Sequence, residues 1–133
     1  MNDEVAQHSG VVRLKSQHSV EATLQRLESL LQQRGVLIFA RIDFSGDAAR
    51  AGLALPPEKL LIFGNPKAGT PLMQSMPLAG LDLPLKVLVY EQSDGGTVIA
   101  YNDPRYILQR HGLADALAAN LAAVEPLIEQ AAR

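Results

Sequence analysis

The sequence predicts an α+β fold in which helices cover one face of a mainly antiparallel five-stranded sheet. Five short segments, rich in β-branched and aromatic residues, have the length and patterning of strands. An amphipathic helical segment follows the first of them, and a glycine-bearing turn joins the last two. Because such a hairpin requires an antiparallel pairing, the pattern indicates the α+β class.

The first strand is predicted over residues 11–16, where polar and apolar residues alternate. A helix follows, with Ser19 as its N-cap and Gly35 at the position where a left-handed residue ends a helix. Its apolar positions recur at steps of four, three and four residues: Val20, Leu24, Leu27 and Leu31. This periodicity predicts a helix that packs on the core through one face.

The second strand is predicted over residues 36–44, which are rich in β-branched and aromatic side chains. Ser45 is then expected to cap a short helix over residues 47–51, which Gly52 ends. The third strand covers residues 59–63. Its residues 60–63 are all apolar.

A second short helix is predicted after the third strand, with Thr70 as its N-cap and Pro71 as its first residue. Strands over residues 85–90 and 97–101 form the hairpin. The rest of the chain has a helical pattern, and Pro126 is expected to kink or restart the last helix.

The composition indicates one globular domain. The chain has 133 residues, 47% of them hydrophobic and 20% charged, and we expect a single domain over residues 11–133 after a loose tail over residues 1–10. A net charge of −2 without a basic stripe disfavours nucleic-acid binding. The tail lacks the apolar core of a signal peptide, no apolar run approaches the ~20 residues of a membrane helix, and cysteine is absent. These features predict a cytoplasmic protein without a membrane partner.

The third and fourth strands are apolar on both faces, whereas one layer of helices covers only one face of a sheet. Either the short helices or a second subunit must cover the other face. A symmetric dimer is the commoner solution for small proteins. We therefore expect a homodimer that buries apolar surface of the sheet or of the terminal helix.

The segment from Gly64 to Thr70 is the strongest candidate for a functional loop. It combines a strand end, two glycines at the spacing of a phosphate-binding loop, Lys67 and a helix start, although Thr70 stands where that motif has lysine. Main-chain amides at Gly69 and the helix start would attract a small anion, with Lys67 as the charged partner. The alternative is a tight strand-to-helix connection whose glycines adopt positive φ.

Polar side chains also gather at the ends of three predicted strands. They are Arg41 and Asp43, Asn65 and Lys67, and Tyr101, Asn102 and Asp103. If these ends share one edge of the sheet, they form one polar pocket in which an aspartate, a lysine and a tyrosine serve as acid, base and anion partner. For Asp103 the alternative is a helix cap, with Pro104 at the first helical position.

Four segments resemble the bacterial domain-of-unknown-function family 302. They are residues 39–43 (FARID), 61–73 (LIFGNPKAGTPLM), 82–86 (DLPLK) and 101–104 (YNDP). The resemblance covers about residues 12–113 and implies a small TATA-binding-protein-like fold of β-α-β-β-β-β-α order, often dimeric, with no settled activity. The family commonly has a histidine after the aspartate that matches Asp43. This chain has Phe44 there, so no role that needs an imidazole is expected.

The expected function is therefore a non-catalytic homodimeric domain that binds a small ligand or an anion, because no nucleophile and base can be paired. The alternatives are a small hydrolase or isomerase that uses Asp43, Lys67 and Tyr101, and a purely structural interaction module. The spacing of the three histidines matches no metal motif, and neither a metal nor a cofactor is expected. The expected ligand-binding residues are Asp43, Asn65, Lys67, Gly69, Thr70, Tyr101 and Asn102.

Overall fold

A computed structural model describes residues 9–133 of the chain. The strands are β1 (Val11–Ser16), β2 (Leu37–Asp43), β3 (Glu58–Gly64), β4 (Leu85–Glu91) and β5 (Thr97–Asn102). The α-helices are α1 (Val20–Gln33), α2 (Phe44–Arg50), α3 (Pro66–Ser75), α4 (Pro104–Arg110), α5 (Ala118–Ala122) and α6 (Glu125–Ala132), and two 3₁₀ helices cover Pro77–Leu81 and Asp115–Leu117. Most of the expected N-terminal tail lies outside the described residues. Gly10, its last residue, is buried, and its carbonyl accepts a hydrogen bond from the amide of Asp103 at 2.8 Å.

All five strands form one antiparallel sheet in the order β1-β5-β4-β3-β2, so the predicted class and strand number are confirmed. The strands β4 and β5 form the predicted hairpin, and Gly95 adopts a φ of 87° in its turn. The edge strand β2 has a register shift between Ile38 and Ala40. The shift leaves Phe39 as the extra residue of a bulge, which bends the strand and changes the direction of its side chain.

The core lies between α1, α6 and one face of the sheet. The buried side chains of this face are Leu61, Phe63, Val87, Val89, Ile99 and Tyr101. The apolar stripe of α1 is buried at the predicted positions, Ser19 caps the helix through the amide of Ala22, and Gly35 adopts a φ of 73°. The prediction for this helix is therefore confirmed from its cap to its end.

The opposite face of the sheet is not covered by α1 or α6. Leu60, Ile62 and Leu88 alternate with the buried residues of β3 and β4 and are only partly buried. The register places Leu60 between Leu88 and Ile42, so these apolar side chains are contiguous across three strands. The sheet therefore has one face in the core and one face that is partly exposed and largely apolar.

The helix α3 begins at Pro66, which corrects the prediction that Thr70 and Pro71 start it. Asn65 is the N-cap, and its Oδ1 atom accepts a hydrogen bond from the amide of Lys67 at 3.0 Å. Thr70 and Pro71 lie inside the helix. The pair Asn65-Pro66 is itself a strong start signal, whereas an internal proline removes one backbone hydrogen bond without preventing the helix from forming around it.

The cap of α2 is Asp43 rather than the predicted Ser45. The Asp43 carboxylate accepts a hydrogen bond from the amide of Gly46 at 2.9 Å. The hydroxyl of Ser45 accepts instead from the amide of Glu58 at 3.2 Å and so links α2 to the start of β3. At the C-terminus, the expected long helix is divided into a 3₁₀ turn, α5 and α6. Of the two outcomes expected at Pro126, a kink or a restart, the structure has the restart, with α6 beginning one residue earlier at Glu125.

Candidate functional site

A largely apolar cavity of about 240 Å³ opens beside α3. Its walls come from the bulged strand β2, the end of β3, α3, the segment before β4, and α5. The apolar walls include Val36, Phe39, Met73, Leu83, Leu121 and Val124. The segment from Gly64 to Thr70 forms one side, so the structure places this predicted loop at the rim of a cavity and folds most of it into a helix.

Gly64 allows the ring of Phe39 to lie close to β3. A Cβ atom at position 64 would stand 3.2 Å from Cε2 of Phe39 and 3.6 Å from Cβ of Pro84, closer than the ring tolerates without moving. The ring lines the cavity and is 50% exposed. A close approach between backbone and side chain, rather than a phosphate cradle, therefore accounts for this glycine.

Gly69 lies inside α3 and also lines the cavity. Apart from its chain neighbours and the backbone of its own helix, no heavy atom lies within 4 Å of the position that its Cβ would occupy, and its φ is not positive. The prediction that Gly64 and Gly69 adopt positive φ is therefore wrong. Among the described residues, positive φ occurs at other glycines: Gly10, Gly35, Gly52, Gly95 and Gly112.

The amide donors of the first turn of α3 are engaged. The Lys67 amide donates to Oδ1 of Asn65 at 3.0 Å, and the amides of Ala68 and Gly69 both donate to the Asn65 carbonyl at 2.9 Å. Pro66 has no N–H group. These three amides therefore donate within the cap of α3 and not toward the cavity. The Lys67 side chain is exposed and does not line the cavity.

The polar groups of the cavity are neutral. They belong to Asn65, Thr70 and Asn120, and no charged side chain of residues 9–133 lines the cavity. The Nδ2 atom of Asn120 donates to the carbonyl of Ala68 at 3.0 Å, which joins α5 to α3. That bond fixes the amide orientation and leaves Oδ1 of Asn120 as an acceptor, while Asn65 retains its NH₂ group as a donor. The cavity therefore offers an apolar volume with a few neutral hydrogen-bonding groups.

The predicted polar pocket at three strand ends is not formed. Strands β3 and β5 run in the same direction on either side of β4, so Asn65 and Asn102 lie at the same end of the sheet. Strand β2 runs in the opposite direction, and Asp43 lies at the other end, beside Lys59. The condition for one polar pocket, that all three ends share one edge, is therefore not met, because antiparallel neighbours end at opposite edges.

Asp43 and Arg41 line a separate groove of about 250 Å³ beside α1. Nη2 of Arg41 lies 2.5 Å from Oε1 of Glu28, and this hydrogen-bonded ion pair raises the pKa of the guanidinium. The hydroxyl of Ser45, at 2.7 Å, and the amide of Gly46 hold the pKa of the Asp43 carboxyl below its usual value of 3.8. These charged groups therefore have local structural partners at the edge of β2 and the start of α2.

Tyr101 is buried, and its hydroxyl donates to Oε2 of Glu125 in α6 at 2.7 Å. Burial and then this hydrogen bond raise the pKa of the phenol, which stays protonated at neutral pH. Arg105 contacts the same carboxylate at 3.3 Å. Asp103 caps α4 through the amide of Arg105, with Pro104 at the start of the helix, as predicted. This network ties α6 and α4 to the sheet.

Sequence reasoning did not single out Phe39, Met73 or Asn120 as site residues. Phe39 lies in a run of four apolar residues at the start of β2, which strict alternation cannot place on one face without a bulge. That run is the signal that would have indicated a special position. Asn120 lies at least 35 residues from the walls formed by β2, β3, α3 and the segment before β4, and no local pattern connects it with them.

Residues 9–133 contain neither a cluster of metal-ligating side chains nor a membrane-spanning helix. This part of the chain contains no cluster of three or more histidine, aspartate or glutamate side chains with the proximity that a metal ion requires. Its helices all fall short of the length and apolarity needed to span a bilayer.

Curated proteins similar to the chain are fluoride-specific ion channels of Brucella. The chain is 44% identical over 105 residues to FluC 1 of Brucella suis biovar 1, a match that covers 79% of the chain and 41% of the channel. FluC 1 of Brucella abortus biovar 1 is also 44% identical over 105 residues, with 79% of the chain and 39% of the channel covered. The chain thus spans about two fifths of the length of the curated relatives that it matches.

A solved structure, the uncharacterized conserved protein DUF302 from Bacillus stearothermophilus, has the same fold. It superimposes with a TM-score of 0.76 over 92% of this chain and 95% of its own, at 22% sequence identity. The family model described as "Domain of unknown function DUF302" matches residues 12–131. The strand order, the structural likeness and the length of this match agree with the resemblance in the sequence, and the chain belongs to the family of domains of unknown function DUF302.

Proposed function

We propose that the chain is a non-catalytic binding domain whose ligand is a small, neutral and mainly apolar molecule held in the cavity beside α3. The observation that carries this proposal is the lining: about 240 Å³ of space is bordered by apolar side chains and three neutral polar ones, and no charged side chain of residues 9–133 is among them. Ligand sites are typically concave and apolar with a few placed polar groups. The neutral lining would exclude ions, whose dehydration it could not offset.

The lining favours a neutral ligand over the anion expected from the sequence. The amides of Lys67, Ala68 and Gly69 already donate within the cap of α3, so an anion would have to break these hydrogen bonds. The Lys67 side chain stands outside the cavity. A single exposed lysine gives a weak, strongly screened attraction.

Fluoride is the ligand that the name of the Brucella relatives suggests. A bound fluoride ion needs several hydrogen-bond donors or a cation. In the part of the chain that the structure describes, the side-chain donors of the cavity are those of Asn65, Thr70 and Asn120, the last already bonded to Ala68. We therefore propose that this domain, where a channel carries it, binds a different and neutral molecule. Replacement of sodium chloride by sodium fluoride at constant ionic strength should leave the amide chemical shifts of the protein unchanged.

Geometry also opposes the hydrolase or isomerase alternative. Asp43 lies at one end of the sheet, Lys67 is in α3 at the other end, and the Tyr101 hydroxyl is bonded to Glu125. Catalysis by these side chains would require them to converge on one substrate. The purely structural alternative predicts that no small molecule binds the cavity. A ligand titration distinguishes this alternative from the proposed binding domain.

The test is a titration of ¹⁵N-labelled protein with cyclohexanol, a neutral apolar ring with one hydroxyl group, followed by amide chemical shifts. We expect saturable shifts at Phe39, Gly69, Met73 and Asn120. Sodium sulfate is the anion control. Shifts that saturate with sulfate around Lys67 but not with cyclohexanol would establish an anion site and reject the neutral one. An absence of shifts with either would support the structural module.

We further propose that two chains pair through the sheet face that α1 and α6 leave uncovered. Leu60, Ile62 and Leu88 form a contiguous and only partly buried apolar surface there. Burial of such a face against a second copy is a common arrangement in small proteins.

Light scattering after size exclusion tests this dimer. The wild-type protein should have about twice its chain mass of 14.3 kDa. Leu88→Arg should give a folded monomer, because it places an unpaired charge in the interface. Leu53→Arg is the matched control, since Leu53 is 68% exposed in the loop after α2. A wild-type monomer, or equal dissociation by both variants, would reject this interface.

A further inference from the structure

We infer that the cavity beside α3 selects a neutral aromatic or heteroaromatic ring system about the size of indole with one hydrogen-bond donor, and that Gly69 sets the depth available to it. This inference rests on the proposed function and narrows its ligand from any small apolar molecule to one chemical class. Four features of the cavity support it: the chemistry of its walls, its volume, Gly69 and Asn120.

The walls consist of groups that favour an aromatic ring. Phe39 lines the cavity with half of its surface exposed, and Met73, 38% exposed, also lines it. Pro66 and Pro84 contribute rigid rings. Aromatic faces and edges attract other aromatic rings electrostatically, and a thioether makes favourable contacts with ring edges. A saturated ring of similar size would gain the apolar contact but not these contributions.

The volume indicates a ring system larger than benzene. An engineered apolar cavity of about 150 Å³ in another protein holds benzene. The cavity beside α3 measures about 240 Å³, roughly half as large again. A bicyclic ring such as indole is therefore the size that matches.

Gly69 is an unusual residue to find inside a helix whose geometry does not require glycine. Its φ is not positive, and no atom lies within 4 Å of its absent Cβ, so neither conformation nor packing excludes a side chain. Alanine would make a more stable helix. What glycine provides here is open space along the cavity wall, and any larger side chain would reduce the depth available to a ligand.

Asn120 supplies the polar selectivity. Its Nδ2 atom is committed to the Ala68 carbonyl at 3.0 Å, which fixes the orientation of the amide and leaves Oδ1 to accept. A ligand with an N–H or O–H donor would pair with this oxygen, whereas a ligand with only acceptors would leave it unpaired. The structure therefore assigns Asn120 as a positioning residue for a donor on the ring.

The experiment compares three neutral probes on ¹⁵N-labelled protein: indole, 1-methylindole and cyclohexanol. We expect indole to bind about tenfold more tightly than cyclohexanol, because of the aromatic contacts, and more tightly than 1-methylindole, which lacks the N–H donor. In the folded variant Gly69→Leu the affinity for indole should fall at least about tenfold, since the leucine occupies the cavity. Gln74→Leu, an exposed substitution in the same helix outside the cavity, should bind indole like the wild type.

The outcomes separate this inference from the proposed function. If cyclohexanol binds the cavity as tightly as indole, the apolar site stands and the aromatic class is rejected. If indole and 1-methylindole bind equally, the role of Asn120 is rejected. Equal affinity of Gly69→Leu and wild type overturns the role of Gly69. Gly69→Ala, with an intermediate loss of affinity and an unimpaired fold, replaces Gly69→Leu if that variant does not fold. Failure of all three probes to shift the cavity residues rejects the proposed function itself.

Discussion

The two clefts beside β2 have nearly the same volume and opposite chemistry. The cavity beside α3 measures about 240 Å³, and its lining among the described residues contains no charged side chain. The groove beside α1 measures about 250 Å³, and its lining includes five charged side chains: Glu21, Glu28, Arg41, Asp43 and Lys59. In the groove, Arg41 pairs with Glu28 and Asp43 caps α2. The cleft with more reactive residue types is therefore the one in which they maintain the structure. The cavity beside α3 is formed by ordinary apolar residues, and no side chain fills its volume.

The largest expected effect comes from truncation of the cavity wall. Leu121 is 2% exposed, lines the cavity and also packs in a second buried apolar cluster with Leu72, Ile107 and Leu108. Leu121→Ala should lower the free energy of unfolding by about 2–4 kcal/mol, because it removes buried methyl groups and leaves a larger cavity. The matched change in the groove, Glu28→Ala, should leave the melting temperature close to that of the wild type. Urea denaturation gives the free energy of unfolding of both variants. An equal loss of that free energy in Leu121→Ala and Glu28→Ala would contradict this contrast.

The next effect concerns the half-exposed ring at the cavity mouth. Phe39→Ala should reduce the affinity for indole about tenfold, since one aromatic pair contributes up to about 1.5 kcal/mol beyond its apolar contact. Arg41, two residues further along β2, faces the groove and is paired with Glu28. Arg41→Ala is therefore the control on the same strand and should bind indole like the wild type. A similar loss in both variants would mean that β2 as a whole, and not the ring, supports the cavity.

The sequence predicted those parts of the fold that depend on local patterns. The periodicity from Val20 to Leu31 identified α1, and the turn around Gly95 identified the hairpin, because each depends on residues close in the chain. The start of α3 was misplaced for the same kind of reason: both Asn65-Pro66 and Thr70-Pro71 match the signature of a helix start, and only the structure shows which pair is used.

The candidate site was predictable only in part. Asn65, Gly69 and Thr70 do line the cavity, but Asp43, Lys67, Tyr101 and Asn102 do not. A polar residue type in a sequence indicates possible chemistry without indicating its partner. The apolar walls from β2, the segment before β4 and α5 meet only after the chain has folded, and no local spacing records that meeting.

A smaller effect distinguishes the two glycines of the predicted loop. Gly69→Ala should raise the free energy of unfolding by about 0.5–1 kcal/mol, because alanine is the better helix former and its methyl group meets open space. Gly64→Ala should give no such gain, since its methyl group would press on the Phe39 ring from 3.2 Å. Thermal unfolding of both variants is the measurement. Stabilisation by Gly64→Ala, or destabilisation by Gly69→Ala, would show that the space around these residues is assigned wrongly.

The smallest effect is the pH dependence of the groove, which the cavity should lack. The pKa of Asp43 is lowered in the folded protein by the Ser45 hydroxyl and the Gly46 amide, so its carboxylate stabilises the fold above its usual pKa of 3.8 and that contribution is lost as the pH falls through the lower folded value. The wild type should therefore melt slightly above Asp43→Asn at about pH 7, and the difference should shrink toward about pH 3. Because asparagine also caps helices, this comparison isolates the charge from the cap. Indole affinity should stay constant across the pH range in which the protein remains folded, since the cavity lining within residues 9–133 contains no charged side chain. A difference in melting temperature that is the same at both pH values would show that the charge of Asp43 does not stabilise the fold. An indole affinity that follows a carboxylate titration would show that a charged group lies in the cavity.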